Sequence, residues 1–186
     1  MRNAIIESTL KLASKRPLSK IKVRDIVNDC GITRNTFYYY FRDIYDVLDI
    51  TFCEEISKVT EDGSWHDANF FALAEFVLKN KAAFRNVYNT MGDKKMRPYL
   101  YEKLHDIVMS YIKGEAEGIE ADEKDLIIIA VFYEEALGGL LLRWLRGDMP
   151  KGINDDIIEM VDKIRTIFTG HIRNAVENSV KRKENQ

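Results

Sequence analysis

Residues 23–41 read VRDIVNDCGITRNTFYYYF, and this stretch decides the fold of the N-terminal part of the chain. Its first part places apolar side chains on one face of a short helix, at Val23, Ile26, Val27 and Cys30. Gly31 follows where a tight turn needs a residue that tolerates a positive φ angle, and the hydroxyl of Thr33 can cap a second helix. Two short helices joined by such a turn form a helix-turn-helix.

The second of these helices carries polar and aromatic side chains on its outer side. Its inner face is supplied by Phe37, Tyr40 and Phe41. The side chains left facing outward are Arg34, Asn35, Thr36, Tyr38 and Tyr39. Arginine and asparagine can each form two hydrogen bonds to a base edge, and hydroxyl groups can reach phosphate oxygens. The stretch therefore predicts a helix that reads double-stranded DNA.

Apolar residues recur at intervals of three and four along the rest of the chain, and no alternating run is long enough for a strand. We therefore expect an all-α fold of about nine helices. Residues 1–46 would form a three-helix helix-turn-helix domain, residues 47–180 a helical ligand-binding and dimerisation domain, and residues 181–186 a polar tail. Acidic or amide side chains that can begin later helices stand at Asp67, at Asp122 and at Asn154 or Asp155.

Composition excludes several classes of protein. The chain has 186 residues, 46% of them apolar, which is enough to build a core without a disulfide framework, and Cys30 and Cys53 are the two cysteines. The longest apolar run, residues 126–133, falls far short of the roughly 20 residues that a membrane-spanning helix needs. The N-terminus has no apolar export signal, so we expect a cytoplasmic protein.

Charge is divided unevenly along the chain. Residues 1–42 hold nine basic and three acidic residues, a net charge of +6, whereas the remainder holds 19 basic and 27 acidic residues, a net charge of −8. A basic N-terminal domain on an acidic body fits an N-terminal domain that contacts a polyanion.

Residues 5–48 resemble the N-terminal domain of the TetR family of transcriptional regulators. The resemblance rests on CGIT at residues 30–33, followed at the correct spacing by TFYYYF at residues 36–41 and by YDVL at residues 45–48. It implies a sequence-specific DNA-binding regulator that acts as a homodimer on an operator. We expect a repressor that a small-molecule effector releases, although the sequence leaves the sign of regulation open.

The resemblance also assigns roles to residues. Arg24, Arg34 and Asn35 fall where family members often contact bases, and phosphate or thymine-methyl contacts are implied for Thr36, Tyr38 and Tyr39. Two positions depart from the family. Lys22 replaces the usual Thr or Ser cap of the first motif helix, although it could reach a phosphate, and Ile44 replaces a frequent lysine. The full predicted DNA-binding set is Lys22, Arg24, Thr33, Arg34, Asn35, Thr36, Tyr38 and Tyr39.

Two DNA-reading domains on a two-fold axis would reach successive major grooves, so the body is expected to dimerise. The last two long apolar stripes supply the candidates. The predicted interface residues are Leu137, Gly138, Leu141, Trp144, Ile157, Val161, Ile164 and Phe168. Residues 138–150 and the acidic segment after them also resemble a subgroup that includes regulators of dihydroxyacetone kinase operons.

The middle helices are expected to enclose the pocket for the effector. The candidates are mostly apolar side chains, with His105 as a polar exception: Phe84, Tyr88, Met91, Leu104, His105, Met109, Phe132 and Tyr133. Glu134 and Glu135 interrupt an apolar helix, and either could bind a polar group of the effector or face solvent.

Two alternatives remain open at this point. Glu102 and His105 have the Glu-x-x-His spacing of di-iron carboxylate proteins, but neither His66 nor His171 completes a second such pair. The chain could also be a helical adaptor that binds only protein. We expect no enzymatic activity, no cofactor, no bound metal and no association with a membrane.

Overall fold

The computed structural model describes residues 1–60, 67–150 and 157–184. These ranges contain ten α-helices and no strand, so the all-α prediction is confirmed, with one helix more than the predicted nine. The helices are α1 (Arg2–Lys15), α2 (Val23–Cys30), α3 (Arg34–Tyr40), α4 (Ile44–Thr60), α5 (Asp67–Lys79), α6 (Lys81–Met91), α7 (Asp93–Glu115), α8 (Glu123–Arg146), α9 (Ile157–Ile167) and α10 (His171–Glu184), with a 3-10 turn at Leu18–Lys20. None of them combines the length and apolar character that a bilayer span requires.

The first three helices pack around a small apolar core, and we call α1 to α3 the head. Its completely buried side chains include Ile5, Ile26, Phe37 and Phe41. Ile26, Phe37 and Phe41 are inward positions that the spacing of apolar residues predicts, whereas Ile5 of α1 was not predicted. Tyr40 packs against the edge of the same cluster. The head therefore has the predicted three-helix helix-turn-helix organisation.

The head is joined to the remaining helices without a break in packing. Helix α4 runs through the predicted boundary between residues 46 and 47 as one continuous helix. Ala83 of α6 is 1% exposed and belongs to the same buried cluster as the head residues. The side-chain amide of Asn86 on α6 also donates a hydrogen bond of 2.8 Å to the Ala13 carbonyl on α1. Helix α6 thus packs against the head and contributes to its buried core.

Helices α5 to α10 form the body, in which α7 and α8 run antiparallel. Tyr101 lies opposite Gly138, and a Cβ atom at Gly138 would stand 2.7 Å from the Tyr101 ring. Helix α10 packs against both helices through the buried Ile172 and Val176. The close approach of α7 to α8 therefore depends on the absence of a side chain at Gly138.

Helix α8 begins and ends as its sequence indicates. Asp122 is its N-cap, and the Asp122 carboxylate accepts a hydrogen bond of 2.9 Å from the Lys124 amide. The helix ends at Gly147, which has a φ of +76°. Helix α5 begins at Asp67, one of the predicted starts. The predicted start at Asn154 or Asp155 lies outside the described residues.

Two predicted interface residues are buried inside the chain. Trp144 is 1% exposed and packs in the core of the body, with the charged groups of Lys81 and Arg85 about 5.5 Å from its ring centre. Gly138 is buried against Tyr101. The interface prediction is therefore wrong for Trp144 and Gly138. The reason is that the apolar surface of α8 is wide enough to serve two neighbours, and these residues face the chain's own helices.

Candidate nucleic-acid interface and effector cavity

The turn between α2 and α3 is built on Gly31. This residue has a φ of +65°, in the left-handed region that side chains disfavour. The amide of Ile32 then donates a hydrogen bond of 2.9 Å to the Val27 carbonyl, which closes the end of α2. The turn fixes the direction of α3 relative to α2.

Thr33 begins α3 as the sequence predicts. Its hydroxyl oxygen accepts a hydrogen bond of 3.2 Å from the amide of Thr36, and the two threonine hydroxyls are 2.9 Å apart. This satisfies one of the amides that the first turn of a helix leaves without a partner. Thr33 therefore has a structural role beside its predicted role at DNA.

The start of α2 has no side-chain cap among the described residues, and a carboxylate from inside the helix binds the backbone amide of the preceding residue. The Lys22 side chain does not cap, as expected. Instead, the Asp25 carboxylate accepts a hydrogen bond of 3.0 Å from the Lys22 amide and one of 2.8 Å from the Arg16 guanidinium. The Lys22 amide and the Arg16 charge hold the pKa of Asp25 below its ordinary value of 3.8, against the opposing effect of desolvation. The departure at Lys22 therefore leaves the first-turn amides of α2 without a cap from this side chain and the lysine ammonium exposed.

The outer side of α3 is open to solvent. Arg34 and Asn35 are exposed, and within the described part of the chain no side-chain hydrogen bond or ion pair engages either of them. Tyr38 is 55% exposed and Tyr39 is 80% exposed, although a tyrosine ring is a large apolar group. The structure thus leaves polar and aromatic groups available along one short helix. Their contact with DNA stays a prediction.

The other predicted DNA-contacting residues are also at the surface of the head. Lys22 and Arg24 are exposed at the start of α2, Thr33 is exposed at the start of α3, and Thr36 is partly exposed beside it. By contrast, acidic side chains of α2 are engaged within the head. Asp29 accepts hydrogen bonds from Lys11 at 2.6 Å and from Ser8 at 2.7 Å, both on α1.

A cavity of about 230 Å³ lies where the head, α4 and the body meet. Its wall is almost entirely apolar and includes Leu10 of α1, Leu48 and Phe52 of α4, Phe84 and Met91 of α6, and Tyr99 of α7. Phe84 and Met91 are the two predicted pocket residues that line it. The contribution of α1 and of the first half of α4 was not predicted from the sequence.

The other predicted pocket residues lie elsewhere. Tyr88 donates a hydrogen bond of 2.6 Å to Asp93, and Met109 and Tyr133 pack in the cluster between α7, α8 and α10. Leu104 is only partly buried on α7 and does not line the cavity. Phe132 is 69% exposed on the outer side of α8, so its assignment to an enclosed pocket is wrong. The physical reason is that α8 is apolar on two sides, and spacing alone does not tell the inner side from the outer one.

His105 is explained by a partner on the neighbouring helix. Its Nδ1 atom lies 2.8 Å from Oε1 of Glu134, which is buried on α8, while about half of the His105 side chain is exposed. Glu135 is exposed instead and accepts a hydrogen bond of 2.8 Å from the Tyr101 hydroxyl. The His105–Glu134 pair and the Tyr101–Glu135 hydrogen bond both link α7 to α8, away from the cavity. Among the described residues, no three His, Cys, Asp or Glu side chains converge on a possible metal site.

The outer surface of α8 exposes large apolar side chains. Ile128 is 66% exposed and Val131 50%, and these residues lie beside Phe132 on the same helix. Of the predicted interface residues, Phe168 is exposed, and four others are partly exposed: Leu137, Leu141, Val161 and Ile164. The Ile157 side chain lies outside the described residues.

A helix-turn-helix whose second helix is exposed, carried on a larger all-α body, is the architecture of DNA-binding regulators. Residues 5–49 match the family described as "Bacterial regulatory proteins, tetR family", and residues 63–170 match "Transcriptional regulator C-terminal region", a TetR-type domain. The chain belongs to the TetR family of transcriptional regulators, as its N-terminal sequence indicated.

A solved structure shares the fold over nearly the whole chain. It is the "Dihydroxyacetone kinase operon activator DhaS", with a TM-score of 0.74 and 16% sequence identity. The similarity covers 92% of this chain and 96% of that one. At this identity the likeness concerns the fold. No curated protein sequence matches the chain.

Proposed function

We propose that the protein is a sequence-specific transcriptional regulator that binds its operator as a homodimer through α3. The observation that carries this proposal is the outer side of α3, where Arg34 and Asn35 have no side-chain partner within the described residues and Tyr38 and Tyr39 are exposed. Arginine suits a guanine edge and asparagine an adenine edge, because each can form two hydrogen bonds there. Arg24 is proposed to add a base contact.

The surrounding residues are proposed to hold the head against the DNA backbone. The Thr36, Tyr38 and Tyr39 side chains can reach phosphate oxygens or thymine methyl groups, and the Lys22 ammonium and Thr33 hydroxyl can reach phosphates. These contacts would fix the register of α3 in the major groove. They would also make binding depend strongly on salt, since cations leave the phosphates when the protein binds.

We further propose that the homodimer forms through the outer side of α8. A continuous apolar strip of α8 is exposed to solvent and consists of Ile128, Val131 and Phe132. Phe168 adds a large exposed apolar side chain after α9. Exposed apolar patches of this kind mark interaction surfaces. The predicted residues Leu137, Leu141, Val161 and Ile164 stay in the proposal, because each is partly exposed.

The regulator is proposed to be a cytoplasmic repressor that a small molecule releases. The similar solved structure bears the name of an operon activator, so the sign of regulation is itself a question for experiment. A reporter gene behind the bound operator separates the two signs, because deletion of the regulator raises expression in one case and lowers it in the other.

The proposal is tested by selecting fragments that the purified chain retains from randomised duplex DNA. We expect an enriched site with two-fold symmetry, bound by two chains. Affinity for the enriched site should fall by about 10³–10⁵ between 50 and 200 mM salt if the dimer makes about 6–10 phosphate contacts. No enrichment at low salt, or a complex insensitive to salt, would contradict the proposed function.

A further inference from the structure

The cavity of about 230 Å³ is bounded by both parts of the molecule. Leu10 comes from α1 of the head and Leu48 from the adjoining helix α4, and Phe84 and Val87 come from α6. Because α6 also packs against α1, a molecule in the cavity would lie between the two surfaces that set the position of the head. The location therefore connects occupancy of the cavity with the geometry of DNA binding.

The volume limits the size of the occupant. An engineered apolar cavity of about 150 Å³ in another protein stays dry and accepts one benzene molecule. The cavity here is about half as large again. It matches a molecule with one ring or two fused rings, whereas three fused rings would need movement of the wall.

The wall selects for aromatic character. Phe84 packs edge to face against Phe52 and Phe76, with ring centres 5.8 Å and 6.0 Å apart, and Tyr99 lies 6.2 Å from Phe52. A flat aromatic ring can continue this pattern of contacts. Met91 and Met96 also line the cavity, and their flexible side chains can adapt to a ring edge. A small polyol would lose its hydrogen bonds to water on entry and gain few in return.

Among the described residues that line the cavity, Asp49 carries the one charged side chain and can give the occupant a direction. Asp49 lines the cavity, and its carboxylate accepts a hydrogen bond of 3.0 Å from the Tyr99 hydroxyl and lies 3.5 Å from the Lys103 ammonium. A carboxylate accepts hydrogen bonds and does not donate them. Asp43, Asp46 and Arg42 line an open surface pocket that shares Asp49. With Lys103, the described residues on this side of the cavity supply three acidic and two basic side chains, so an anion gains no net attraction there.

We propose that the cavity binds an uncharged aromatic molecule of one or two rings that carries a single N–H or O–H donor, directed at Asp49, and that its binding changes DNA affinity. The effect on DNA rests on the proposed function, whereas the binding itself does not. Occupancy would press Leu10 and Leu48 away from Phe84 and Val87 and so favour one position of the head over another. By linkage, the molecule must then bind one of the two DNA-binding states more tightly.

The first test is calorimetry on the full chain with four probes that separate size from polarity. Indole has two rings and a donor, benzofuran has the same shape without a donor, carbazole has three rings, and glycerol is a small polyol. We expect indole to bind, benzofuran to bind about tenfold more weakly, and carbazole and glycerol not to bind. Binding of glycerol in place of indole, or equal binding of indole and benzofuran, would overturn the proposed chemical class.

The second test enlarges a side chain of the cavity wall so that it occupies part of the cavity. Ala83 lines the cavity and is buried, whereas the adjacent Ala82 on α6 is exposed, so Ala83→Leu and Ala82→Leu add the same atoms in two environments. We expect Ala83→Leu to weaken indole binding at least tenfold and Ala82→Leu to leave it unchanged. Circular dichroism checks that each variant folds. Asp49→Asn provides a second variant, in which the preference for indole over benzofuran should shrink; an unchanged preference would count against the proposal.

The third test measures affinity for the selected DNA site with and without indole. We expect a change of at least threefold in the wild-type chain and none in Ala83→Leu. Indole that binds in calorimetry but leaves DNA affinity unchanged would overturn the coupling. If the chain binds DNA but no aromatic probe, the cavity inference fails and the proposed function stands. If the chain binds no DNA, the proposed function fails, and calorimetry still decides whether the cavity takes the probe.

Discussion

Ser8 on α1 donates a hydrogen bond of 2.7 Å to the Asp29 carboxylate on α2. Lys11, one turn further along α1, donates to the other oxygen of the same carboxylate at 2.6 Å. The bond from Lys11, followed by that from Ser8, lowers the pKa of Asp29 from its ordinary value of 3.8. The ionised side chain of Asp29 thus links α2, the first helix of the motif, to α1.

The stability of the head should therefore depend on acid pH. A carboxylate with a lowered pKa contributes stability that is present above its unfolded pKa and lost as the pH falls through the folded value. The free energy of unfolding in urea should accordingly decrease as the pH falls below about 4. Asp29→Asn should be less stable than wild type at pH 7 and should lose less stability in acid. Asp106→Asn, which changes an exposed carboxylate on α7, is the control. Equal acid sensitivity of wild type and Asp29→Asn would contradict the assignment.

Thr33→Ala should destabilise the head. The Thr33 hydroxyl accepts the bond from the Thr36 amide, and loss of an N-cap typically costs about 1 kcal/mol. Urea unfolding measures the change, and Ser19→Ala, which removes an exposed hydroxyl from the 3-10 turn, is the matched control. A Thr33→Ala protein as stable as wild type would show that the cap contributes nothing.

Arg34→Ala should weaken binding to the selected operator by about 1–3 kcal/mol and relax the base preference at one position of each half-site. The guanidinium is exposed on α3, where the proposal places it against a base edge. Lys113→Ala removes the same charge from the body and should leave affinity nearly unchanged. Fluorescence anisotropy with the operator and with single-base variants gives both quantities. An equal loss on every sequence would reassign Arg34 from a base contact to a phosphate contact.

Phe132→Glu should dissociate the homodimer. The substitution puts a charge in the middle of the exposed apolar strip of α8, and burying that charge without a partner is strongly unfavourable. Sedimentation velocity at several concentrations measures the state of assembly. Lys124→Glu, a charge change at an exposed position near the start of α8, serves as control and should remain dimeric. If Phe132→Glu stays dimeric, the dimer forms through another surface.

Trp144→Ala should lower the free energy of unfolding. Trp144 is 1% exposed, and truncation of a buried tryptophan typically costs about 3–5 kcal/mol. Thermal unfolding should show this loss at a protein concentration where the variant is still dimeric. If the variant becomes monomeric while its unfolding free energy is unchanged, Trp144 belongs to the interface after all.

Local features were predictable because they depend on neighbours in the sequence. The positive φ of Gly31 and the cap at Thr33 follow from the residue types and their spacing, and the structure confirms both. The role of Asp25 was not predicted from the sequence, where the missing hydroxyl cap at Lys22 is the visible feature and the carboxylate that binds the Lys22 amide lies within the helix. An acidic residue three positions after the N-cap residue is the signal that predicts this bond.

The sides of α8 could not be assigned from the sequence. Its apolar residues face α7, α6 and solvent in turn, so the same spacing describes the buried Trp144 and the exposed Phe132. The cavity could not be predicted from the sequence either, because its wall contains both Leu10 and Tyr99, residues 89 positions apart in the chain. Only the packing of α1 and α4 against the body brings those side chains together.

The placement of Ala83 in the core of the head bears on how such regulators could be recombined. A chimera that grafts residues 1–49 onto an unrelated body would leave the underside of α1 facing foreign side chains, and the Ala13 carbonyl would lose the amide of Asn86. A working hybrid would have to carry α6 with it, or rebuild that surface. The unit that matches the family at the N-terminus is therefore shorter than the unit that could be transplanted.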